Sequence, residues 1–374
     1  MASIKQIALI GSTGSIGRQT LEIVRSFPER FRIIALAAGK NTVLLEEQVR
    51  EFHPKYVYFQ GHKHDINGSN YLSLEEMLTL PEIDTVLMAP AGITGLKPTL
   101  WAAKAGKKIA LANKESLVMA GDIITSAIRK SKGRILPVDS EHSAIWQCLK
   151  GERKAIARLI LTASGGPFAK YTKEQLARVT PEQALRHPSW LMGPKVTIDS
   201  ATLLNKGLEI IEAHHLFGVS YNKIKVLVHP PSVVHSMVEF KDGSIKAQLS
   251  YPDMRFPIQY ALTYPERWTN PKLPRLDWKS IESLPFTKPN TDLFPCLELA
   301  RSAGVHGGTY PAVLCGAGEA AVAMFLSKSI PFLRIASIIE QVLNEHRPIY
   351  NPDINTIEEE ADRAYKRANV IGME

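Results

Sequence analysis

The 374-residue sequence contains only three cysteines, Cys148, Cys296 and Cys315, and they lie far apart. None forms a Cys-x-x-Cys pair, which argues against a disulfide framework and a structural zinc site. No apolar run approaches the roughly 20 residues that a membrane-spanning helix needs. The apolar run at 7–10 comes so early that no signal or transit peptide is expected. We therefore expect a cytoplasmic protein.

The excess of positive charge is modest, since 45 Lys and Arg against 37 Asp and Glu give a formal net charge of +8. This charge suits anionic substrates and cofactors, and it would also suit nucleic acid. The basic residues are scattered and no recognised nucleic-acid-binding motif occurs, which argues against nucleic acid. The length is sufficient for two or three globular domains.

Short apolar runs alternate with amphipathic segments through the first third of the chain. Strands are predicted at 7–10, 32–37, 56–59, 85–88 and 108–112, with helices at 18–25 and 42–52 between them. This alternation is typical of a doubly wound parallel sheet. We predict an α/β fold with a Rossmann-like N-terminal domain at residues 1–126.

A central α/β catalytic domain is predicted at residues 127–250. Its strands are predicted at 158–162, 195–198, 225–228, 233–240 and 244–250, and the last two flank a hairpin signal at 241–243. One face of such a sheet can pack on helices and the other against a second copy, so a homodimer is expected.

The last part of the chain changes character twice. Repeated prolines between Pro252 and Pro295 predict an extended linker at residues 251–290. Helical patterns at 312–326, 332–345 and 357–368 follow it. They predict a C-terminal helical bundle at residues 291–374.

The segment Gly11-Ser12-Thr13-Gly14-Ser15-Ile16-Gly17 lies between the first predicted strand and a helix. Glycines there let backbone N–H groups approach a pyrophosphate at the helix N-terminus. The spacing is GxxGxxG rather than GxGxxG, so a plain tight turn is the alternative. The second strand ends in Ala38-Gly39-Lys40-Asn41, with no acid for a free ribose hydroxyl. This favours NADP over NAD, unless Lys40 is simply a solvated lysine.

Polar residues also follow the strand predicted at 108–112, where an open parallel sheet binds its ligands. Asn113 and Glu115 are candidates for contact with the nicotinamide ribose, and Lys114 for contact with the substrate. The alternative is a capped helix start with solvated charges.

Two segments contain the carboxylates of a possible metal site. Asp139 and Glu141 point to one face if their segment is extended, where they repel each other unless a cation lies between them. On a predicted helix, Glu209 lies four residues after Asn205 and three after Lys206, so the three cluster on one face. Three carboxylates suit Mg²⁺ or Mn²⁺ better than zinc. The alternatives are a solvated strand edge and an ordinary Lys–Glu surface pair.

Donors that suit a phosphate accompany these carboxylates. They are Ser164 in a Gly-rich turn, Ser200, Asn205 and Lys206. The loop at 187–194 combines His187 and Trp190 with Pro and Gly, which favours a flap that closes over a substrate. Packing of Trp190 in a buried loop is the alternative.

Six motifs occur in order across most of the chain: GSTGSIG, LANKES, PVDSEH, LTASGGPF, HPSWLMG and DSATLLNKGLE. In these motifs the sequence closely resembles the 1-deoxy-D-xylulose 5-phosphate reductoisomerase family. The resemblance implies an enzyme that converts 1-deoxy-D-xylulose 5-phosphate to 2-C-methyl-D-erythritol 4-phosphate in isoprenoid precursor synthesis. It also implies NADPH and a divalent cation, Mg²⁺, Mn²⁺ or Co²⁺, as cofactors. Because no transit peptide is expected, a bacterial-type rather than a plastid version is expected.

The resemblance further implies roles for individual residues. The metal ligands would be Asp139, Glu141 and Glu209. The substrate would contact Lys114, Ser140, Glu141, Ser164, His187, Trp190, Ser200, Asn205, Lys206 and Glu209, of which Lys114, Glu141 and His187 would be catalytic. NADPH would contact Thr13, Gly14, Ser15, Ile16, Gly39, Lys40, Asn41, Asn113, Glu115 and Gly193. The flap would include Trp190, Met192 and Gly193.

Two other functions remain as alternatives. A simple NADP-dependent semialdehyde or hydroxy-acid dehydrogenase would need no three-carboxylate metal site, and a semialdehyde enzyme would need a nucleophilic cysteine in a setting that Cys148 lacks. A non-catalytic NADP-binding sensor would show no metal-dependent turnover. One segment, Cys315-Gly316-Ala317-Gly318-Glu319, departs from the Asn-Ala-Ala-Asn-Glu common in the family, which is expected to affect local packing.

Overall fold

The computed structural model describes residues 4–61, 65–152, 155–188, 190 and 192–374. These residues form two compact units, each with its own sheet. Unit 1 consists of Met1–Ser116, Asp122–Ser143 and Asp253–Pro274, and unit 2 of Leu117–Gly121, Ala144–Pro252 and Arg275–Glu374. No helix in the described ranges is long and apolar enough to cross a membrane.

Unit 1 is built on a seven-stranded parallel sheet in the order β4-β3-β2-β1-β5-β6-β7. Its strands are β1 (Lys5–Ile10), β2 (Phe31–Ala38), β3 (Tyr56–Phe59), β4 (Asn70–Tyr71), β5 (Thr85–Met88), β6 (Lys108–Leu111) and β7 (Arg134–Pro137). The five strands predicted in this region are confirmed. The strand order reverses between β1 and β5, and open α/β sheets bind their ligands at such a switch point.

The helices of unit 1 follow the strands as the alternating pattern predicted. They are α1 (Ser15–Ser26), α2 (Thr42–Phe52), α3 (Leu74–Thr79), α4 (Leu96–Lys104) and α11 (Arg255–Thr263). Two further helices, α5 (Lys114–Ser131) and α6 (Ser140–Cys148), have residues in both units. The central strands are buried on both faces, with Ala8 and Leu9 fully inaccessible, so they read as continuous apolar runs.

Unit 2 combines a four-stranded sheet in the order β11-β10-β8-β9 with a layer of helices. Its strands are β8 (Ile156–Ala163), β9 (Ile224–Val228), β10 (Val234–Phe240) and β11 (Ile245–Leu249). Its helices are α7 (Lys173–Leu176), α8 (Pro181–Ala184), α9 (Pro194–Ala201), α10 (Leu204–Phe217), α12 (Cys296–His306), α13 (Tyr310–Leu326), α14 (Arg334–Glu345) and α15 (Ile354–Met373). The predicted hairpin is confirmed between β10 and β11, which pair antiparallel.

Two local predictions are wrong. The strand predicted at 195–198 lies inside α9, because Pro194 occupies the first turn of a helix, where a missing N–H costs nothing. The linker predicted at 251–290 is not extended throughout, because α11 forms at its start. Pro257 is tolerated there since it also falls in the first turn.

The departure at residues 315–319 has a packing explanation. It lies in α13, which packs against α15. A Cβ atom at Gly316 would lie 2.0 Å from the Ala361 carbonyl oxygen, so only glycine allows the two helices to approach this closely.

Candidate active site

The glycine-rich turn connects β1 to α1 in unit 1. The N–H groups of Gly11 and Ser12 both donate to the Ala37 carbonyl oxygen of β2, at 2.8 and 2.9 Å. Gly11 has a φ of +85°, and a Cβ atom at Gly17 would lie 2.3 Å from the Gly11 carbonyl oxygen. Glycine is therefore required at both positions for α1 to start this close to the strand. No side chain of the described residues caps α1, so its first N–H groups remain available to an anion.

The segment after β2 leads directly into α2. Gly39 and Lys40 are exposed, and the Asn41 side chain caps the helix by accepting a hydrogen bond from the Leu44 N–H at 3.1 Å. Asn41 thus has a structural role of its own. The proposed contact of Lys40 with a 2′-phosphate stays a prediction.

Asn113 is a buried hydrogen-bonding centre at the start of α5. Its side-chain NH₂ donates to the carbonyl oxygens of Pro90 and Gly92, each at 2.9 Å. Its Oδ1 accepts from the Ser116 N–H at 3.0 Å, which caps α5. The capped helix start is therefore confirmed, although the adjacent Lys114 and Glu115 are buried rather than solvated.

The expectation that Asp139 and Glu141 lie on an extended segment is wrong. β7 ends at Pro137, α6 begins at Ser140, and the Ser143 N–H donates to the Asp139 carbonyl oxygen at 2.8 Å. Both acids therefore lie at a helix N-terminus, where the helix dipole favours negative charge. This local preference outweighs the alternation that the sequence suggested.

Lys114 and Asp139 form an ion pair within unit 1. The Lys114 Nζ lies 2.6 Å from the Asp139 Oδ2, and both side chains are largely buried. The fully buried His142 places its Nδ1 3.8 Å from the same oxygen. Sequence reasoning missed His142, although a histidine three residues after the acid on a helix start was the available signal.

Glu209 is the centre of a buried polar cluster on α10. Its carboxylate accepts hydrogen bonds from Asn205 at 2.6 Å and from the Lys206 ammonium. Lys206 is 4% and Glu209 1% exposed. The alternative of an ordinary surface pair is therefore wrong, because both side chains are buried. Burying two charges costs stability, a cost that an exposed pair avoids.

A second polar cluster in unit 2 joins three separate segments of the chain around His187. The His187 Nε2 lies 3.0 Å from the Ser164 Oγ and 3.3 Å from the Ser200 Oγ. The Ser164 Oγ also accepts a hydrogen bond from the Gly166 N–H at 3.2 Å. The structure thus brings together three of the residues predicted for the substrate.

The tautomer of His187 follows from its hydrogen bonds. The Trp190 N–H donates to the His187 Nδ1 at 3.0 Å, so this nitrogen carries no proton. The proton of the neutral ring is then on Nε2, facing the two serines. Burial lowers the pKa of His187 to about 4, so the ring is a neutral donor at physiological pH.

We expect His187 to remain neutral and protonated at Nε2 from pH 8 down to about pH 5. The ¹⁵N chemical shifts of histidine-labelled protein measure this directly, with His187→Gln identifying the resonances. In the unfolded chain the pKa is near 6.5, so protonation removes stability as the pH falls from 6.5 towards 4 and has no effect above that window. A titration midpoint near 6.5 in the folded protein would contradict the assignment.

The predicted flap is described except for Ser189 and Leu191, which lie outside the described residues. The Trp190 ring is partly buried, 6.0 Å from the His235 ring. Met192 is partly buried, and the exposed Gly193 is the N-cap residue of α9. Whether this segment closes over a substrate stays a prediction.

Leu203 joins α9 to α10 in a left-handed conformation, with φ +60° and ψ +10°. Its N–H donates to the Ser200 carbonyl oxygen at 3.2 Å, and its own carbonyl accepts from the Gly207 N–H at 3.1 Å. The Leu203 side chain is buried. The chain therefore turns at Thr202 and Leu203 between the helix that carries Ser200 and the helix that carries Asn205 and Lys206.

A parallel sheet with a glycine-rich turn at its switch point, followed by a unit rich in phosphate-type donors, defines a dinucleotide-dependent oxidoreductase. The sequence profile of 1-deoxy-D-xylulose 5-phosphate reductoisomerase matches residues 7–121. Profiles of the C-terminal domains of this enzyme match residues 135–217 and 249–368. The chain belongs to the 1-deoxy-D-xylulose 5-phosphate reductoisomerase family.

Similar proteins extend over nearly the whole chain. The reductoisomerase of Desulforamulus reducens is 52% identical, covering 98% of this chain and 99% of the relative. That of Pelotomaculum thermopropionicum is 50% identical over 96% of each. The Zymomonas mobilis enzyme solved with NADPH is 38% identical, with a TM-score of 0.92 and all of both chains covered. A DOX-P reductoisomerase solved with NADPH, fosmidomycin and magnesium is 39% identical, with a TM-score of 0.92 over 99% of this chain and 97% of that one.

Proposed function

We propose that this chain catalyses the NADPH- and divalent-metal-dependent reductive isomerisation of 1-deoxy-D-xylulose 5-phosphate to 2-C-methyl-D-erythritol 4-phosphate, in the cytoplasm. The observation that carries the proposal is the similarity of the whole chain to reductoisomerases solved with NADPH and with magnesium. The fold of each unit agrees with the chemistry required. Unit 1 has the turn for a dinucleotide, and unit 2 has a buried ammonium group and partly buried hydroxyl and amide donors for a phosphate.

The proposed metal ligands are Asp139, Glu141 and Glu209. Their donor set fits Mg²⁺ or Mn²⁺, which prefer carboxylate oxygens. Two of these acids each face an ammonium group, Lys114 for Asp139 and Lys206 for Glu209. When bound, the cation polarises the carbonyl and hydroxyl oxygens of the substrate and lowers the cost of the oxyanion that forms during rearrangement.

The remaining proposed roles belong to the chain's own side chains. The substrate phosphate accepts hydrogen bonds from Ser164, Ser200, Asn205 and Lys206, with His187 as a neutral Nε2–H donor. Lys114, Ser140 and Glu141 orient the substrate backbone, and Trp190 in the flap excludes water. NADPH contacts Thr13, Gly14, Ser15, Ile16, Gly39, Lys40, Asn41, Asn113, Glu115 and Gly193.

The proposed assembly is a homodimer formed through unit 2. β11 is an edge strand with an exposed Ile245, and Tyr251 and Trp278 of the same unit are 48% and 64% exposed. An open edge strand with an exposed Ile245, followed closely by the exposed Tyr251, suits a self-complementary interface. Sedimentation equilibrium tests this, and Ile245→Lys should shift the protein towards monomer; a wild-type monomer would reject the proposal.

The decisive experiment follows NADPH oxidation with 1-deoxy-D-xylulose 5-phosphate as substrate, with Mg²⁺ or Mn²⁺ and again with excess EDTA. We expect EDTA to abolish turnover and added metal to restore it. The reason is that the bound metal is the Lewis acid, whereas the proposed carboxylate ligands only hold it. Turnover that survives metal removal would instead favour a simple dehydrogenase. NADPH binding without any turnover would favour a sensor.

A further inference from the structure

A buried glutamine on α2 has no role in the function proposed above. Gln48 is 3% exposed and shares the buried face of α2 with Leu45 and Val49. Burying a polar amide in an apolar stripe costs stability unless it is hydrogen-bonded. Among the described residues its Oε1 has no hydrogen-bond partner, so only half of the amide is satisfied. An apolar side chain would therefore suit this position better if packing were its only purpose.

The satisfied half of the amide contacts the glycine-rich turn. The Gln48 Nε2 donates to the Ser12 carbonyl oxygen at 3.0 Å, across 36 residues of sequence. The same carbonyl faces α1, where a Cβ atom at Gly17 would lie 2.5 Å from it. The Ser12 side chain is also fully buried, and its Oγ has no partner among the described residues. The Gln48 amide is thus a fixed support on the inner side of the turn.

The direction of this contact matters for a bound pyrophosphate. A turn that offers N–H groups to an anion must direct its carbonyl oxygens away, since a carbonyl facing the ligand would repel it. By holding the Ser12 carbonyl inside the protein, Gln48 stabilises that orientation of the peptide.

The position of Gln48 on α2 connects this turn to a second part of the cofactor site. The helix begins just after Gly39, Lys40 and Asn41, the segment proposed to contact the ribose 2′-phosphate. Gln48 lies seven residues after the cap Asn41, about 10 Å along the helix at 1.5 Å per residue. The single helix α2 therefore begins at the segment proposed for the 2′-phosphate. Its second helical turn carries Gln48, which supports the glycine-rich turn proposed for the pyrophosphate.

We infer that Gln48 is a positioning residue for NADPH, which fixes the pyrophosphate turn relative to the segment that contacts the 2′-phosphate. The inference rests on the proposed use of NADPH. It implies that loss of the amide lowers the affinity for ligands that span both parts of the site. The affinity for ligands that occupy only the 2′-phosphate end should not change.

The test compares Gln48→Met, which keeps the length of the side chain and removes the donor, with Glu47→Met on the exposed side of the same helix. Dissociation constants of the full-length protein are measured for NADPH, by nicotinamide fluorescence, and for 2′-AMP, by competition. For Gln48→Met we expect the Kd of NADPH to rise about tenfold, the effect of one hydrogen bond to a buried group. The Kd of 2′-AMP and the kcat at saturating NADPH should stay within about twofold of wild type.

Other outcomes separate the inference from the proposed function. An unchanged NADPH Kd in a folded Gln48→Met protein overturns the inference, and so does an equal loss of 2′-AMP and NADPH affinity, which would mean that α2 is merely destabilised. A wild-type protein that fails to bind NADPH rejects the proposed function instead. If Gln48→Met folds poorly, Gln48→Leu supplies the same test, because an apolar side chain cannot donate to the Ser12 carbonyl oxygen.

Discussion

Glu209→Gln is expected to reduce kcat by on the order of a thousandfold while leaving the affinity for NADPH nearly unchanged. The substitution keeps the size of the side chain and replaces a charged oxygen ligand with a neutral amide, a much weaker ligand for a hard cation. NADPH affinity should survive because the glycine-rich turn and α2 belong to unit 1, whereas Glu209 belongs to unit 2. The measurements are steady-state kinetics with saturating Mg²⁺ and fluorescence titration with NADPH.

Folding must be checked in this variant, because the substitution leaves the buried Lys206 without its carboxylate. Breaking a buried ion pair on one side costs about 3–5 kcal/mol. Glu345→Gln is a matched control in the same unit, since Glu345 is an exposed carboxylate paired with Arg367. Thermal denaturation of both variants separates lost stability from lost chemistry. Equal losses of turnover and of NADPH affinity would make Glu209 a structural residue.

Gly17→Ala is expected to weaken NADPH binding by about a hundredfold, which corresponds to about 2.8 kcal/mol. The new Cβ atom would lie 2.3 Å from the Gly11 carbonyl oxygen and 2.5 Å from that of Ser12. Backbone atoms cannot yield as a flexible side chain can, so the turn and the start of α1 must separate. That movement displaces the N–H groups proposed for the pyrophosphate. Isothermal titration with NADPH measures the loss.

Gly14→Ala provides the comparison for this variant. Its Cβ atom would lie 3.4 Å from the Gly11 carbonyl oxygen, an ordinary contact, and Gly14 has a φ of −75° that alanine adopts readily. The fold should therefore tolerate it. If Gly17→Ala binds NADPH as tightly as the wild type, the close approach of α1 is not what shapes the cofactor site.

The parallel sheet of unit 1 could be predicted because its signals are local. Strands such as β3 and β5 are short apolar runs bounded by polar turns, and their predicted ends agree with the structure to the residue. The GxxGxxG turn was recognisable because its neighbours in sequence are also its neighbours in space. Where residues pack against neighbours that are close in sequence, a local sequence pattern is sufficient to predict the structure.

The errors arose where a short pattern fits two structures. Asp139 and Glu141 alternate as in a strand, yet they begin a helix, and the segment 195–198 has too few residues to distinguish the two periods. The burial of Lys206 and Glu209 could not be predicted either. Helical spacing indicates that two side chains are in contact, but not whether other parts of the chain bury them. Long-range contacts such as that of Gln48 with Ser12 leave no trace in local pattern.

The left-handed conformation of Leu203 limits which residues can replace it. Hydrophobicity scales treat leucine, isoleucine and valine as nearly equivalent in a buried position. A side chain branched at Cβ is strongly disfavoured at a positive φ, whereas glycine and asparagine adopt it readily. Position 203 should therefore accept asparagine or glycine, at some loss of packing, more readily than valine. The most apolar replacements here would be among the most damaging.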